Sequence, residues 1–278
     1  MTQRILVVDD DGIIRQLVNR VLTGAGYAVD TAGDGIEALE KLKRKAFDLL
    51  LTDVWMPRMN GLELLAHLRN EPVRPKVVVM TADDTPETLL QAVREQAYQY
   101  VTKPVEVEAL VKLIYEVLAA PAPTAPIEVL SARPEWVELL VPCELPMADR
   151  IQSFLLQLKA DLSDEVRDSV GRAFRELLLN AIEWGGQLDP HRKVRISYLR
   201  ARRMLMYRIA DPGPGFSLEG LPHAAVSNPE DQPFGHIRVR KEKGLRPGGF
   251  GILMVSQMVD ELIYNEKRNE VVFVKYLD

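Results

Sequence analysis

The sequence predicts two α/β domains in series: a doubly wound parallel sheet over residues 1–119 and an α/β sandwich over residues 135–278, separated by a proline-rich linker over 120–134. Three observations predict this. Short apolar runs alternate with helical patterns in the first part, which is the signature of strands buried on both faces of a parallel sheet. Residues 119–126, AAPAPTAP, alternate proline with small residues and favour an extended, semi-rigid segment. Beyond it a new set of strands and helices begins, now with adjacent strand pairs that suit hairpins. A length of 278 residues also exceeds one compact domain and makes two the natural count.

In the first domain, Arg4–Val8 is an apolar run that ends in aspartates. Residues 13–25 carry helical periodicity, and Gly26 is a plausible stop. Residues 47–52, 76–81 and 99–102 read as further strands, and 104–118 as a closing helix. Ligands of such sheets gather at the carboxyl ends of the strands. Asp9, Asp10, Asp53, Thr81 and Lys103 each end or directly follow a strand, so the pattern alone brings them together.

In the second domain, residues 136–143 read as a strand and 147–159 as an amphipathic helix. A helix capped by Ser163 or Asp164 runs to Trp184. Residues 193–199 and 204–210 pair about the turn at 200–203. Residues 217–247 are long, polar and low in periodicity. A helix over 250–259 and a hairpin of 261–265 with 271–276 close the chain. Helices on one face of a mixed sheet complete the sandwich.

A net charge of −5 gives no reason to expect direct DNA binding. Cys143 is the sole cysteine and has no internal disulfide partner, which fits a reducing compartment. The N-terminus reaches aspartates too early for a secretory signal, and no apolar run approaches the ~20 residues that span a bilayer. The expectation is a cytoplasmic protein with no membrane association.

The first constellation is Asp9, Asp10, Asp53 and Lys103. A hard cation such as Mg²⁺ takes oxygen ligands and keeps several waters, so two or three carboxylates suffice. Asp10 and Asp53 are expected as direct ligands, with Asp9 acting mainly through water. Lys103 relieves the mutual repulsion of the carboxylates and can pair with a phosphoryl oxygen, while Thr81 offers a hydroxyl to another. These residues stand in ILVVDDD, LLLTDVWMP, VVVMTA and YVTKP. Together the four segments resemble the receiver domain of bacterial response regulators over residues 1–119. The resemblance implies a five-stranded parallel sheet, Asp53 as phospho-acceptor, the Trp55 carbonyl as a backbone metal ligand, and Thr81 with Tyr100 as the pair that reports phosphorylation. Gln96 stands where this family often has glycine.

The second constellation is three motifs in order: Glu176 to Asn180 (ELLLN), Asp211 to Gly215 (DPGPG) and Gly248 to Gly251 (GGFG). Glu176 and Asn180 are four apart and face the same way on a helix. An asparagine oxygen suits Mg²⁺ whose charge is balanced by phosphates, and a glutamate one turn away can orient or deprotonate an attacking hydroxyl. Asp211 can accept from an adenine amino group, with Gly213 and Gly215 letting the backbone pass close to the base. Gly248, Gly249 and Gly251 precede a helix, where free N–H groups favour phosphate. RELLLNAIEWG, ADPGPGF and RPGGFGILMV resemble the ATPase domain shared by histidine kinases, Hsp90-like chaperones, gyrase and MutL. The entry WVELLVPCELPMADRIQSFL and the ending MVDELIYNEKRNEVVFVKY look most like the anti-sigma-factor serine kinases. Carried over by motif, Asn180 binds Mg²⁺, Glu176 is the general base, Asp211 reads adenine and the Gly248–Gly251 loop wraps the phosphates of ATP. Trp184 stands where members usually carry histidine.

Arg238, Arg240, Lys241, Lys243 and Arg246 form a basic run before the glycine loop, a lid or a solvated loop. No histidine has metal-like spacing. Residues 119–134 supply neither a dimerisation helix pair nor a phospho-accepting histidine, so a separate sensor histidine kinase is the expected phosphodonor for Asp53. The resemblance implies an anti-sigma-factor antagonist protein as the kinase substrate and a homodimer. The alternative is an ATP-dependent binding module that sequesters a sigma factor or another partner without phosphoryl transfer.

Overall fold

A computed structural model describes residues 2–69, 71, 74–83, 85–122, 124–158, 162–217, 235–242 and 250–277. The chain forms two compact units, Met1–Pro123 and Thr124–Asp278.

The first unit runs β1 (Arg4–Val8), α1 (Gly12–Gly24), β2 (Ala28–Ala32), α2 (Gly35–Arg44), β3 (Leu49–Thr52), α3 (Gly61–Leu68), β4 (Lys76–Thr81), α4 (Pro86–Arg94), β5 (Gln99–Thr102) and α5 (Val107–Ala119). All strand pairs are parallel, in the order β2-β1-β3-β4-β5. β2 is the strand that periodicity does not reveal. Its sequence, AVDTA, sits at the sheet edge, half-buried and without an apolar run. The central strands RILVV, LLLT and KVVVMT are apolar because helices cover both faces. α1 packs with α5 on one face, and α2, α3 and α4 follow one another on the other. Strand order reverses between β1 and β3, which opens a crevice at their carboxyl ends.

Helix starts are set by side chains that satisfy free N–H groups. Asp11, part of the acidic run, caps α1 by accepting from the Ile13 and Ile14 N–H groups. Asp34 caps α2 and pairs with Arg58. Asn60 and Glu63 form a reciprocal capping box on α3. Gln96 holds a φ of 62°, the left-handed region, which explains why glycine suits that position.

The second unit runs β6 (Glu128–Arg133), β7 (Trp136–Pro142), α6 (Leu145–Gln157), α7 (Asp164–Asn180), a π turn (Ala181–Gly185), β8 (Lys193–Ala201), β9 (Met204–Ala210), α8 (Gly235–Glu242), α9 (Gly251–Met258), β10 (Glu261–Tyr264) and β11 (Glu270–Tyr276). Two expectations are corrected. The linker is shorter than 120–134, because residues 128–133 form β6 and pair with β7 across a two-residue turn. The sheet is not mixed: every pair in the order β10-β11-β9-β8-β7-β6 is antiparallel. β7 reaches β8 by way of α6 and α7, and β9 reaches β10 by way of α9, with β11 lying between β9 and β10 and antiparallel to both.

One face of this sheet carries Tyr198, Tyr207 and Phe273. Tyr207 lies 5.0 Å from the Tyr198 ring, 4.9 Å from Phe273 and 5.3 Å from Phe174 of α7. α6 and α9 pack against α7. On the opposite face, Trp136, Leu199, Met206 and Val274 form one cross-strand row with Arg133 at one end and Glu261 at the other. Among the described residues no helix is long and apolar enough to cross a membrane.

Candidate functional sites

The first site is built at the carboxyl ends of β1, β3 and β5. The side chains of Asp9, Asp10 and Asp53 present carboxylate oxygens within 4.8 Å of one another. Lys103 bridges two of them, its Nζ donating to Asp9 Oδ2 at 2.7 Å and to Asp53 Oδ2 at 2.6 Å. The Asp9 side chain is 1% exposed, and those of Asp53 and Lys103 are 13% exposed. Burial pushes the Asp9 carboxyl above its usual range in spite of Lys103. Burial alone would pull Lys103 down, but its hydrogen bonds to Asp53 and Asp9 outweigh that and hold its ammonium up. The set therefore lacks positive charge for three carboxylates, and all its ligand atoms are oxygen. Both features fit a hard divalent cation such as Mg²⁺.

The backbone fixes this arrangement. Asp53 N–H donates to the Val8 carbonyl at 2.8 Å, and Val54 N–H donates to Asp53 Oδ1 at 2.6 Å. Gly61 starts α3 directly against Asp53: a Cβ there would lie 2.0 Å from the Asp53 carbonyl oxygen. Thr81 is fully buried at the end of β4, and its hydroxyl accepts from the Asp83 N–H at 3.3 Å. Tyr100, buried on β5, donates its hydroxyl to the Asp83 carbonyl. Thr81 and Tyr100 are thus joined through one residue that the sequence reading did not name. Asp83 also accepts from the Trp55 indole at 2.9 Å and from Thr88 at 2.8 Å. Burial would raise Asp83, but the donors Thr85, Thr88 and Trp55 hold it below the usual carboxylate range. The exposed Trp55 ring ties the loop after Asp53 to the loop after Thr81.

The second site draws on α7, the loop after β9, the first residue of α9 and the π turn. Glu176 and Asn180 lie half-buried on one face of α7. Gly251, the first residue of α9, rests against them: a Cβ there would fall 2.8 Å from Glu176 Oε2 and 3.7 Å from Asn180 Nδ2. The first and third motifs therefore meet. Gly248 and Gly249 lie outside the described residues, as do Lys243 and Arg246 of the basic run.

Asp211 follows β9. Its Oδ1 accepts the Gly213 N–H at 2.7 Å, and burial raises its carboxyl above the usual range. Gly215 takes a φ of 84° and packs on the Lys267 carbonyl, where a Cβ would lie 1.7 Å away. Its glycine requirement therefore arises from the β10–β11 turn rather than from the base side of the loop. Two residues outside the motifs hold this loop. Asn269 donates to the Gly213 carbonyl at 3.2 Å, and Arg192 donates to the Pro212 carbonyl at 2.6 Å. A carboxylate with fixed geometry, a glutamate–asparagine pair and a glycine backbone facing that pair are a donor set that fits Mg²⁺–ATP.

Family models match a segment in each of the two units. Residues 5–115 match the response regulator receiver domain, and residues 145–275 match the histidine kinase-like ATPase domain. The transcriptional regulatory protein ZraR of Klebsiella oxytoca is 37% identical over 115 residues, 41% of this chain and 26% of that protein. The response regulator MprA of Mycobacterium leprae is 38% identical over 120 residues, 43% of this chain and 53% of that protein. The chain therefore spans between about a quarter and about half the length of these curated relatives. Among solved structures, the chemotaxis response regulator CheY4 of Vibrio cholerae is 34% identical with a TM-score of 0.40, covering 42% of this chain and 99% of that one. This chain carries a two-component response regulator receiver domain followed by a histidine kinase-like ATPase domain.

Proposed function

We propose that the chain is a response regulator whose output is an ATP-dependent protein serine/threonine kinase of the anti-sigma type, controlled by phosphorylation of Asp53. The observation that carries this reading is the presence in one polypeptide of the Lys103-bridged Asp9/Asp53 pair and of the Glu176/Asn180 face closed by Gly251.

At the first site a sensor histidine kinase is the expected phosphodonor. The donor's N–P bond breaks as an Asp53 oxygen bonds to phosphorus, and Lys103 pairs with the added negative charge. Asp10, Asp53 and the Trp55 carbonyl would hold Mg²⁺, with Asp9 acting through water, and the ion supplies charge neutralisation. Thr81 would turn its hydroxyl toward a phosphoryl oxygen. That turn releases the Asp83 N–H and loosens the residue on which Tyr100 rests. The switch works only if the two arrangements differ in free energy.

At the second site Asn180 would hold nucleotide-bound Mg²⁺, Asp211 would accept from the adenine amino group, and Gly248, Gly249 and Gly251 would wrap the phosphates. Glu176 takes the proton of a partner's serine hydroxyl as its oxygen bonds to the γ-phosphorus and ADP leaves. The partner class is an anti-sigma-factor antagonist. Labelled ATP incubated with such a partner tests the reading. Transfer that is lost in Glu176→Gln, with ATP binding kept, supports the kinase. Stable capture of the partner or of a sigma factor without transfer overturns it in favour of a sequestering module.

We also propose a homodimer through the outer sheet face. An antiparallel sheet face turned to water should be polar, yet the exposed Trp136 and the half-buried Leu199 and Met206 stand there in one row with the buried Val274. The row is self-complementary, because a two-fold axis sets Arg133 of one copy against Glu261 of its partner. Sedimentation of Trp136→Asp should give a monomer; an unchanged dimer would refute this face.

A further inference from the structure

A glycine to which the motif reading gives no role, Gly185, packs directly against the Asp211 carboxylate. α7 ends at Asn180 and continues as a single π turn, closed by the Gly186 N–H on the Ala181 carbonyl at 2.8 Å. In an α-helix the residue four on from Asn180, Trp184, would return to the same face. The wider turn hands that place to the residue five on, Gly185. Trp184 is accordingly 44% exposed. A Cβ on Gly185 would lie 2.1 Å from both Cγ and Oδ1 of Asp211 and 2.4 Å from its Cβ.

The opposite flank is equally tight. A Cβ on Gly213 would lie 2.7 Å from Asp211 Oδ1 and 2.8 Å from Gly185 Cα. The Asp211 carboxylate therefore sits between two α-carbons that carry no side chain. The backbone behind it has no room to retreat. Asp211 N–H donates to the Asn269 carbonyl at 2.9 Å, the Asn269 amide holds Gly213, and Arg192 holds Pro212. A side chain at 185 would displace the Asp211 carboxylate rather than the loop.

We infer that Gly185 is a positioning residue for nucleotide base recognition: by carrying no side chain at the end of the π turn, it sets the Asp211 carboxylate for the amino group of adenine. The inference deepens the proposed ATP reading and rests on it. Gly213 N–H occupies Oδ1, so Oδ2 is the atom left for the base. Gly185 also lies five residues beyond Asn180 on a continuous helical segment, so the base end and the metal–phosphate end of the site share one rigid element.

The test is calorimetry on the full chain with Mg²⁺ and two nucleotides, ATP and inosine triphosphate. The latter keeps the ribose and phosphates but has a carbonyl where adenine has its amino group. Wild type should prefer ATP by roughly 10- to 100-fold, the worth of a hydrogen bond to a charged group. Gly185→Ala should bring the preference near unity while inosine triphosphate affinity stays within about two-fold, and it should change nothing further in an Asp211→Ala background.

Retention of the ATP preference in Gly185→Ala overturns the inference, as does parallel loss of both nucleotides, which a merely structural glycine would give. If Gly185→Ala does not fold, the double variant Gly185→Ala, Asp211→Gly decides: recovery of a cooperative melt supports the contact, and continued unfolding overturns it. A wild type that binds neither nucleotide sinks the ATP reading itself and this inference with it. A wild type that binds both nucleotides equally leaves ATP binding standing and refutes the base-reading role.

Discussion

Replacing Lys103 with methionine keeps most of the volume and removes the cation between Asp9 and Asp53. Its ammonium lies 2.7 and 2.6 Å from the two carboxylates, and no partner is more than 13% exposed. Solvent screening is therefore weak, and removing one partner of such a pair typically costs about 3–5 kcal/mol. A second argument bounds the same quantity. Asp9 can escape an unpaired charge by binding a proton, and moving a carboxyl from its ordinary value near 3.9 up to pH 7 takes about 3 units at ~1.4 kcal/mol each, a ceiling of about 4 kcal/mol. The expected loss is thus ~3–4 kcal/mol. The sign with pH follows. Burial already raises Asp9 in the folded state, and loss of Lys103 raises it further. A carboxyl raised above its unfolded value favours the fold at low pH and withdraws that contribution as pH rises through the folded value. The deficit of the variant should shrink on going from pH 7 to pH 5. Native-state hydrogen exchange at the buried amides of Ile5 and Val7, in the full chain and corrected for intrinsic rates, reads this free energy locally. A deficit below about 1 kcal/mol, or one that does not change with pH, would refute the bridging role of Lys103.

Three further outcomes are expected. Asp9→Asn should raise stability at neutral pH without Mg²⁺, because the ionised carboxyl is disfavoured by burial; a melt should show this, together with loss of the increment that Mg²⁺ gives wild type. Gly61→Ala forces a Cβ to within 2.0 Å of the Asp53 carbonyl unless the backbone shifts; it should cost about 1–3 kcal/mol and slow labelling of Asp53 by a small phosphodonor, and normal labelling would count against the close approach. Asn180→Ala should abolish Mg²⁺-dependent ATP binding in calorimetry while leaving the melting transition of the ATPase domain near wild type; affinity that survives would remove Asn180 from the metal.

The carboxylate cluster with Lys103 was legible because each of its residues ends or follows an apolar strand, and a parallel sheet gathers such ends. Asp9, Asp10, Asp53 and Lys103 converge as that rule requires. β2 was not legible, since an edge strand of sequence AVDTA buries too little to show an apolar run. β6 hid behind the prolines, its alternation interrupted by a bulge between Val129 and Ser131. Asp83 escaped notice because its part is played by backbone groups that join Thr81 to Tyr100, and backbone roles leave no residue-type signal. In the ATPase domain, i,i+4 spacing placed Glu176 and Asn180 correctly on one face. The same rule extended one turn fails, because the helix widens at Ala181 and sends Trp184 outward in favour of Gly185. The pair of glycines at 185 and 186 was the available signal: two adjacent residues without side chains at a helix end mark close approach, here to Asp211 and Cys143. Arg192 and Asn269 act on carbonyls of a loop distant in sequence, and spacing could not reveal them.

Control of the ATP site by Asp53 is tested most directly by measuring ATP affinity and turnover of the full chain before and after treatment with acetyl phosphate and Mg²⁺, in wild type and in Asp53→Asn. Coupling between sites usually amounts to about 1–3 kcal/mol, so phosphorylated wild type should shift in affinity or turnover by at least roughly five-fold, while Asp53→Asn stays fixed. Wild type that becomes labelled on Asp53 and yet keeps both quantities unchanged would contradict the account.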